Sequence, residues 1–162
     1  RADALGLPCG ASYHVAVRAT NCAGLQHVAA SSAATLCCSV PTVGAVQLVD
    51  ASGEEVSYAT NETALLVRWS GFVDRCSGMR AYTVSLSGVE LVWQSSVSVE
   101  VGADSSKPFE LSVPDAVVAS LSHGIAYRVD VLATSHAGLS AVASVSFTLD
   151  LTPPTRVELE LY

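Results

Sequence analysis

Residues 7–25 of the chain read LPCGASYHVAVRATNCAGL, and residues 121–139 read LSHGIAYRVDVLATSHAGL. Ten of the nineteen aligned positions are identical, and the offset between the two copies is 114 residues throughout. A repeat with this period predicts an array of similar units, each the size of a small domain. The 162 residues have room for one whole unit and parts of two others, so we expect the sequence to be an excerpt from a longer array.

The composition favours thin β-sheets and argues against two classes of partner. Half of the residues are apolar, only 14% are charged, and the formal net charge is −7. Nucleic-acid binding needs clustered Lys and Arg, whereas the eight basic residues are scattered, so we expect no nucleic-acid partner. Residues 19–49 carry no charge, but polar residues and Pro41 interrupt them, and we therefore expect no membrane insertion.

Cysteine content and a glycosylation sequon indicate the compartment. Five cysteines are many for a short β-rich chain and raise the question of disulfides. Asn61, Glu62 and Thr63 form a sequon for N-glycosylation, with Asn61 as the acceptor. Together these features predict an oxidising, extracellular or cell-surface location.

The repeated stretch alternates apolar and polar residues with a period of two, which is typical of a strand covered on one face. The predicted inward rows are Tyr13, Val15, Val17 and Ala19 in the first copy and Tyr127, Val129, Val131 and Ala133 in the second. An Ala-Gly turn and a second run, at residues 27–37 and 140–149, follow these rows. Each copy is therefore predicted to be a β-hairpin.

Further short runs of the same character lie between the two copies. They cover residues 43–50, 64–69, 80–87, 91–101 and 109–113. The predicted buried rows include Leu65, Val67 and Trp69 in one run and Tyr82, Val84 and Leu86 in the next. A single helical turn is expected within residues 115–121. Seven or so short strands separated by turn signals predict an all-β, antiparallel sandwich.

The spacing Leu-x-x-Gly-x-x-Tyr occurs in both copies, ending at Tyr13 and at Tyr127. It resembles the tyrosine corner that opens strand F of fibronectin type III domains, and Trp69 and Tyr82 match the positions of that family on strands B and C. The resemblance covers essentially the whole chain. It implies tandem antiparallel β-sandwiches of fibronectin type III, immunoglobulin-like topology. The corner tyrosines are then structural: the ring fills the end of the sandwich, and the hydroxyl bonds to backbone upstream.

The same resemblance implies the domain boundaries. Residues 1–38 would be strands F and G of one domain, residues 41–149 a complete domain, and residues 150–162 a linker and the first strand of a third. An insertion near residues 89–108 makes the middle unit longer than is usual for the family.

The fibronectin-like topology also implies where the cysteines lie. Cys9 and the neighbours Cys37 and Cys38 fall at the end of the first domain that faces the next one, and Cys76 falls on the B–C loop of that next domain. Adjacent strand residues point to opposite faces, so one of the neighbours is expected to join Cys9 and the other Cys76, and which takes which stays open. Cys22 would find its partner outside this sequence. In the second copy His123 and His136 replace Cys9 and Cys22.

Metal binding offers two alternatives to this interpretation. A tetrahedral zinc site could use Cys9, Cys37, Cys38 and Cys76, with or without His136, although no Cys-x-x-Cys pair is present. Calcium at domain boundaries could use Asp50, Asp74, Asp104 and Asp150. The dense acidic motifs of calcium-bridged junctions are missing, and we expect neither metal.

No arrangement of residues points to catalysis. A nucleophile needs a base within hydrogen-bond reach. No motif places one beside a histidine: the four are His14, His27, His123 and His136, on strands or turns of two different domains. The carboxylate pair Glu54 and Glu55 falls on an expected turn, where a solvated loop is the simpler reading. We therefore expect no enzyme, no catalytic residues and no cofactor.

The sequence is best explained as a structural or adhesive module of an extracellular repeat array, acting as a stiffened spacer and assembly surface. Its expected partners are neighbouring repeats of the same chain and other extracellular or filament proteins, which strand edges can bind by β-addition. The Ala-, Ser- and Val-rich style, with Asp74, Ser77 and Gly78 on one loop, is similar to repeats in cell-surface and flagellar-hair (mastigoneme) proteins of unicellular algae. Two alternatives stay open: a spacer in a secreted multidomain enzyme, or a ligand-binding receptor ectodomain.

Overall fold

The computed structural model describes residues 6–100 and 107–153. The N-terminal strands are β1 (Ser12–Tyr13), β2 (Ala16–Thr20), β3 (Gln26–Ala30) and β4 (Ala34–Thr35). The following strands are β5 (Ala45–Val49), β6 (Tyr58–Ala59), β7 (Leu66–Ser70), β8 (Met79–Ser87), β9 (Leu91–Ser98), β10 (Phe109–Ser112), β11 (Ala126–Ser135) and β12 (Ser140–Leu149). The single helical turn, α1 (Asp115–Val118), lies where the sequence predicts it. The fold is all-β, as predicted.

The first copy of the repeat forms a hairpin, which we call the N-terminal hairpin (residues 9–38). Strands β2 and β3 pair antiparallel from Ala16 and Ala30 to Thr20 and Gln26, and β1 pairs with β4 below them. At the tip the side chain of Asn21 accepts hydrogen bonds from two backbone N–H groups of the turn. Pairing between neighbouring strands therefore forms the hairpin from its tip to its base.

Strands β5–β12 form two sheets, which together make up the body of the protein (residues 45–149). One sheet has the order β10-β7-β5, and the other has the order β6-β12-β11-β8-β9. All of these pairs are antiparallel except that of β6 with β12. The buried residues of both sheets belong to one hydrophobic cluster, an arrangement consistent with a β-sandwich.

The predicted period of two explains this core. Val67 and Trp69 of β7 are buried, and so are the alternate residues Tyr82 and Val84 of β8. Trp69 packs against two other rings, with its centroid 5.7 Å from Phe109 and 5.5 Å from Tyr82. Aromatic pairs at these separations and tilts add to the free energy gained by burial. The core of the body thus centres on an aromatic cluster shared by the two sheets.

The predicted inward row of the first copy is exposed in the structure, which contradicts the expectation of a covered face. Val15 is 70% exposed and Val17 is 64% exposed, whereas the equivalent Val129 and Val131 are fully buried. The physical reason is packing, since within residues 6–100 and 107–153 no second sheet covers the hairpin. The alternation is present in both copies, but only the second has a partner layer.

Most strand boundaries agree with the prediction to within two residues. The run predicted over 91–101 ends as a strand at Ser98, and its last residue lies outside the described ranges. The run predicted over 27–37 is divided into β3 and β4. The first strand expected of a third domain, after residue 153, also lies outside the described part of the chain.

Both corner tyrosines make a hydrogen bond to the residue five positions earlier, but with opposite polarity. The Tyr13 hydroxyl donates to the carbonyl of Pro8 at 3.0 Å, and the Tyr127 hydroxyl accepts from the N–H of Ser122 at 2.8 Å. Proline has no N–H to donate, so its carbonyl is the available partner in the first copy. The two copies therefore share one corner geometry, adapted to the residue at the bonding position.

We expect the Tyr127→Phe variant to lose about 1 kcal/mol of unfolding free energy, because the half-buried hydrogen bond from the N–H of Ser122 is lost while the ring still packs. Denaturant titration followed by the fluorescence of the body's buried Trp69 measures the change. The matched control is Tyr13→Phe, whose bond lies in the N-terminal hairpin and which should leave unfolding of the body unaltered. Equal losses in the two variants would contradict a local role for the corner bond.

Candidate functional site: the disulfide-bonded junction

Two disulfides meet where the N-terminal hairpin joins the body. The structure pairs Cys9 with Cys38 and Cys37 with Cys76, with Cα atoms 5.8 Å apart in each pair. Of the two pairings that the sequence left open, this is the one present. The first disulfide closes the base of the hairpin, and the second joins the hairpin's last segment to the loop between β7 and β8. We call that loop, residues 71–78, the junction loop.

The linker between hairpin and body, residues 39–44, is attached to the junction loop at both ends. Its N-terminal end is fixed by the disulfide of Cys37 with Cys76. Its C-terminal end is fixed by backbone pairing, because the N–H of Thr42 donates to the carbonyl of Val73 at 2.8 Å and the reverse bond is 3.4 Å. Pro41, just before this pair, is buried. Only four residues separate the two attachment points, so the linker has little conformational freedom.

Gly44 allows the chain to pass closely beside the junction loop as it enters β5. A Cβ atom at this position would lie 2.6 Å from Cδ2 of Phe72 and 2.7 Å from its backbone nitrogen, and it would also overlap the carbonyl oxygen of Ser70. Backbone atoms cannot move aside as the end of a flexible side chain can. The close contact of linker and loop therefore requires glycine here.

The conformation of the junction loop is held by the carboxylate of Asp74. One oxygen accepts the N–H of Cys76 at 2.7 Å and the N–H of Ser77 at 2.9 Å, and the other lies 3.3 Å from the Ser77 hydroxyl. A carboxylate that caps consecutive N–H groups fixes a turn in the way it caps a helix. Asp74 thus orients the backbone segment that carries Cys76.

The junction loop is also bonded to the turn between β11 and β12. The N–H of Ala137 donates to the Ser77 hydroxyl at 3.0 Å, and the N–H of His136 donates to the carbonyl of Gly78 at 3.0 Å. Ser135, at the end of β11, is fully buried beside them. A force or displacement applied at Cys76 is therefore passed directly to the five-stranded sheet.

Hydrogen bonding and burial act in opposite directions on Asp74. Partial burial raises the pKa of its carboxyl, but the N–H groups of Ser77 and Cys76 and the hydroxyls of Ser135 and Ser77 stabilise the charged form. The net pKa lies below the ordinary value of 3.8. The carboxylate is therefore ionised at neutral pH and contributes most to the loop in that state.

A cleft of about 520 Å³ lies against the linker and the junction loop. Its polar lining includes the side chains of Thr35, Thr42, Asp74 and Arg75. None of these four side chains is a nucleophile hydrogen-bonded to a base, as nucleophilic catalysis requires. Within the described residues there is no group of three His, Cys, Asp or Glu side chains that could hold a metal ion.

The second copy of the repeat shows what replaces the corner disulfide. In the first copy the N–H of Gly10 bonds to the carbonyl of Leu36, and in the second the N–H of Gly124 bonds to the carbonyl of Leu149. The offset at this end of the hairpin is thus 113 rather than 114 residues. By that offset the position of Cys38 corresponds to Leu151.

The N–H of Leu151 donates to Nδ1 of His123 at 3.0 Å. His123 is the residue that corresponds to Cys9. Asp150 lies 3.7 Å from the same nitrogen. Hydrogen bonds from Thr152 lower the pKa of Asp150, and the proximity of His123 lowers it further. The same two positions are therefore joined by a disulfide in one copy and by a side-chain hydrogen bond in the other.

The remaining predicted site residues are spread over the molecule. Cys22 is an exposed free thiol at the tip of the N-terminal hairpin, thirteen residues after Cys9 and fifteen before Cys37. Asn61 is exposed in a turn where the Thr63 hydroxyl accepts the N–H of Thr60. Trp69 and Tyr82 lie in the core. The structure thus brings together the four disulfide cysteines at the junction and, separately, Trp69 and Tyr82 in the core.

The zinc alternative does not fit this arrangement. All four sulfur atoms proposed for zinc are used in disulfides and are not thiolate ligands. Among the aspartates proposed for calcium, Asp50 accepts backbone N–H groups within its own turn, and Asp74 and Asp150 do the same elsewhere. Asp104 lies outside the described residues.

Three contributors to the junction were not identified from sequence. The pairing of Thr42 with Val73 and the close passage at Gly44 depend on how distant segments meet, whereas the capping by Asp74 is local to the junction loop. The one available signal was the spacing Asp-x-x-Ser-Gly in the junction loop, since an aspartate followed by serine and glycine is typical of a capped turn.

Nothing among the described residues forms a helix with the length and apolar character needed to cross a membrane. Searches for similar proteins returned no matching protein family, no matching curated protein and no matching solved structure. The structural argument for function therefore depends on the geometry of the junction itself.

We expect the oxidised protein to contain one reactive thiol, that of Cys22, and the Cys76→Ser variant to contain two. The substitution frees Cys37 while the disulfide of Cys9 with Cys38 stays closed. Opening the loop between residues 37 and 76 should lower the unfolding free energy of the body by about 2–4 kcal/mol. Thiol titration and denaturant titration measure the two effects. A titre of one thiol in the variant would contradict this pairing.

The effect of Asp74 should depend on pH in a defined direction. Its pKa is lower in the folded protein than in the unfolded chain, so the stabilisation is present above about pH 4 and is lost as the pH falls through the folded pKa. We expect Asp74→Asn to destabilise the body at pH 7 and to approach wild-type stability once the pH has fallen below the folded pKa. Thermal unfolding across pH measures this, with the exposed Glu62→Gln as control. A difference independent of pH would exclude the carboxylate as its cause.

Proposed function

We propose that the protein is a non-enzymatic structural module of an extracellular repeat array, in which successive units are held at a fixed orientation. One observation carries the proposal: the disulfide of Cys37 with Cys76 joins the N-terminal hairpin to the body across a linker that is attached at both ends. A flexible linker would allow neighbouring units to rotate freely. The role of this junction is to prevent that rotation.

We further infer that the units are fibronectin type III-like domains, residues 41–149 being a complete one and residues 1–38 the end of its predecessor. In support, β5, β7 and β10 correspond in order to strands A, B and E, and β8, β9, β11 and β12 to C, C′, F and G. The tyrosine bonds five residues back in both copies agree with a corner at the start of strand F.

The same chemistry supports an extracellular or cell-surface location, which we include in the proposal. Two disulfides in a chain of this size are consistent with an oxidising environment, since cytosolic thiols are kept reduced. The partners that we propose are neighbouring repeats of the same chain and other extracellular or filament proteins. The exposed Asn61 is accessible for glycosylation on the turn before β7.

The proposal predicts a fixed distance between the two units. We expect a narrow distance distribution between fluorophores placed at Gln26, near the tip of the hairpin, and at Gln94 of β9, both exposed. Unnatural amino acids carry the fluorophores, so that the native cysteines remain. Single-molecule energy transfer should show a much broader distribution in the double variant Cys37→Ser/Cys76→Ser.

The matched control is the double variant Cys9→Ser/Cys38→Ser, which also removes one disulfide but keeps the bond between hairpin and body. It should retain most of the narrow distribution. A wild-type distribution already as broad as that of the Cys37→Ser/Cys76→Ser variant would sink the proposal, because the junction would then be flexible despite its disulfide.

A further inference from the structure

The two disulfides of the junction are connected through a single peptide bond. Cys9 is bonded to Cys38, Cys38 is the chain neighbour of Cys37, and Cys37 is bonded to Cys76. The shortest covalent route from Cys9 to Cys76 therefore runs through four residues, although these two cysteines are 67 positions apart in sequence. We call this route the covalent tie.

The covalent tie cannot lengthen appreciably under tension. Each disulfide spans 5.8 Å between Cα atoms, and a trans peptide adds about 3.8 Å, so the whole route is on the order of 15 Å long. Without the disulfides the same 67 positions would extend to roughly 230 Å. The first disulfide closes a loop that contains the N-terminal hairpin, and the second closes a loop that contains the linker and strands β5–β7. Neither loop is part of this shortest route.

The body end of the covalent tie reaches the larger sheet. Cys76 lies three residues before Met79, where β8 begins, and the junction loop is bonded to the turn between β11 and β12. Strands β8 and β12 both pair antiparallel with β11, by eight and nine registered residue pairs. A force between Cys76 and the end of β12 at Leu149 therefore acts along the strands and loads both ladders together.

Without the disulfide of Cys37 with Cys76, the force would enter elsewhere. It would pass along the linker to β5, an edge strand of the three-stranded sheet that pairs with β7 through five registered residue pairs. Fewer ladder hydrogen bonds resist the removal of β5 than resist the sliding of β8 past β11. The disulfide thus directs the force to the longer ladders of β11 with β8 and β12 instead of the shorter ladder of β5 with β7.

We propose that the junction transmits tension: the covalent tie carries pulling force from the N-terminal hairpin directly into the five-stranded sheet and keeps the linker and strands β5–β7 free of load. This function deepens the proposed spacer role and rests on it. It explains why Cys37 and Cys38 are adjacent, because a single peptide bond then connects the two disulfides into one short covalent route. A fixed orientation alone requires just one of them.

Single-molecule pulling with handles at defined residues tests this. In the wild-type chain one handle is placed at Leu7 and the other after Leu149, and the measurement is repeated with the first handle moved to the exposed Arg75, beside Cys76. If the covalent tie carries the load, the two attachments should give the same unfolding force and the same released length. This comparison needs no cysteine substitution.

The double variant Cys37→Ser/Cys76→Ser supplies the second comparison. Pulled from Leu7, it should unfold at a lower force than wild type and release about 130 Å more chain, because 39 further positions come under load. Pulled from Arg75, it should unfold at a force close to that of wild type. If the variant is weaker by the same factor from both attachments, the disulfide merely stabilises the body, and the proposal is overturned.

The outcomes separate this inference from the proposed spacer role. A narrow energy-transfer distribution together with forces that differ between Leu7 and Arg75 in wild type would leave the spacer role intact and overturn the transmission of tension. A broad distribution would remove the spacer role itself. Circular dichroism of the double variant establishes that its strands are formed before its forces are compared.

Discussion

The junction depends on one covalent constraint: Cys37 and Cys38 are neighbours in the chain, and their disulfides lead to different partners. Successive residues of an extended chain point to opposite sides, so each sulfur can reach a different partner without bending the backbone. One partner lies in the N-terminal hairpin and the other in the body. The remaining contacts of the junction, at Thr42, Gly44 and Asp74, position the linker and the junction loop so that this double connection can close.

The chain contains its own comparison, because the same hairpin occurs twice. Tyrosine corners, turn glycines and strand ladders are alike in the two copies, and they are the features that define a hairpin of this kind. The connections at the hairpin base differ: Cys9 uses a disulfide where His123 accepts a hydrogen bond. A disulfide restricts the unfolded chain as well as the folded one, whereas a hydrogen bond exposed to water contributes about 1 kcal/mol or less. The two copies thus share one hairpin framework and differ in how strongly the base of the hairpin is connected.

Much of the fold followed from sequence because it rests on local periodicity. The alternating runs predicted the strands of the body and the buried rows through Trp69 and Tyr82, which the structure has. The exposed row at Val15 and Val17 was predicted to be covered, and it is not, because alternation reports which side of a strand is apolar and not whether another layer packs on it. The contacts of Thr42 and Gly44 with the junction loop could not be predicted, since they arise from segments that are distant in sequence and have no periodic signal.

The junction loop needs its hydrogen bonds because a disulfide alone does not fix an orientation. A disulfide joins two points but leaves the backbone on either side free to rotate about its own torsions, and Cys76 lies on an exposed loop. Asp74 removes that freedom within the loop, and the bonds from His136 and Ala137 fix the loop against the five-stranded sheet. Three elements distant in sequence, β4, the junction loop and the turn after β11, therefore move together. Without those hydrogen bonds the disulfide would tether the hairpin without orienting it.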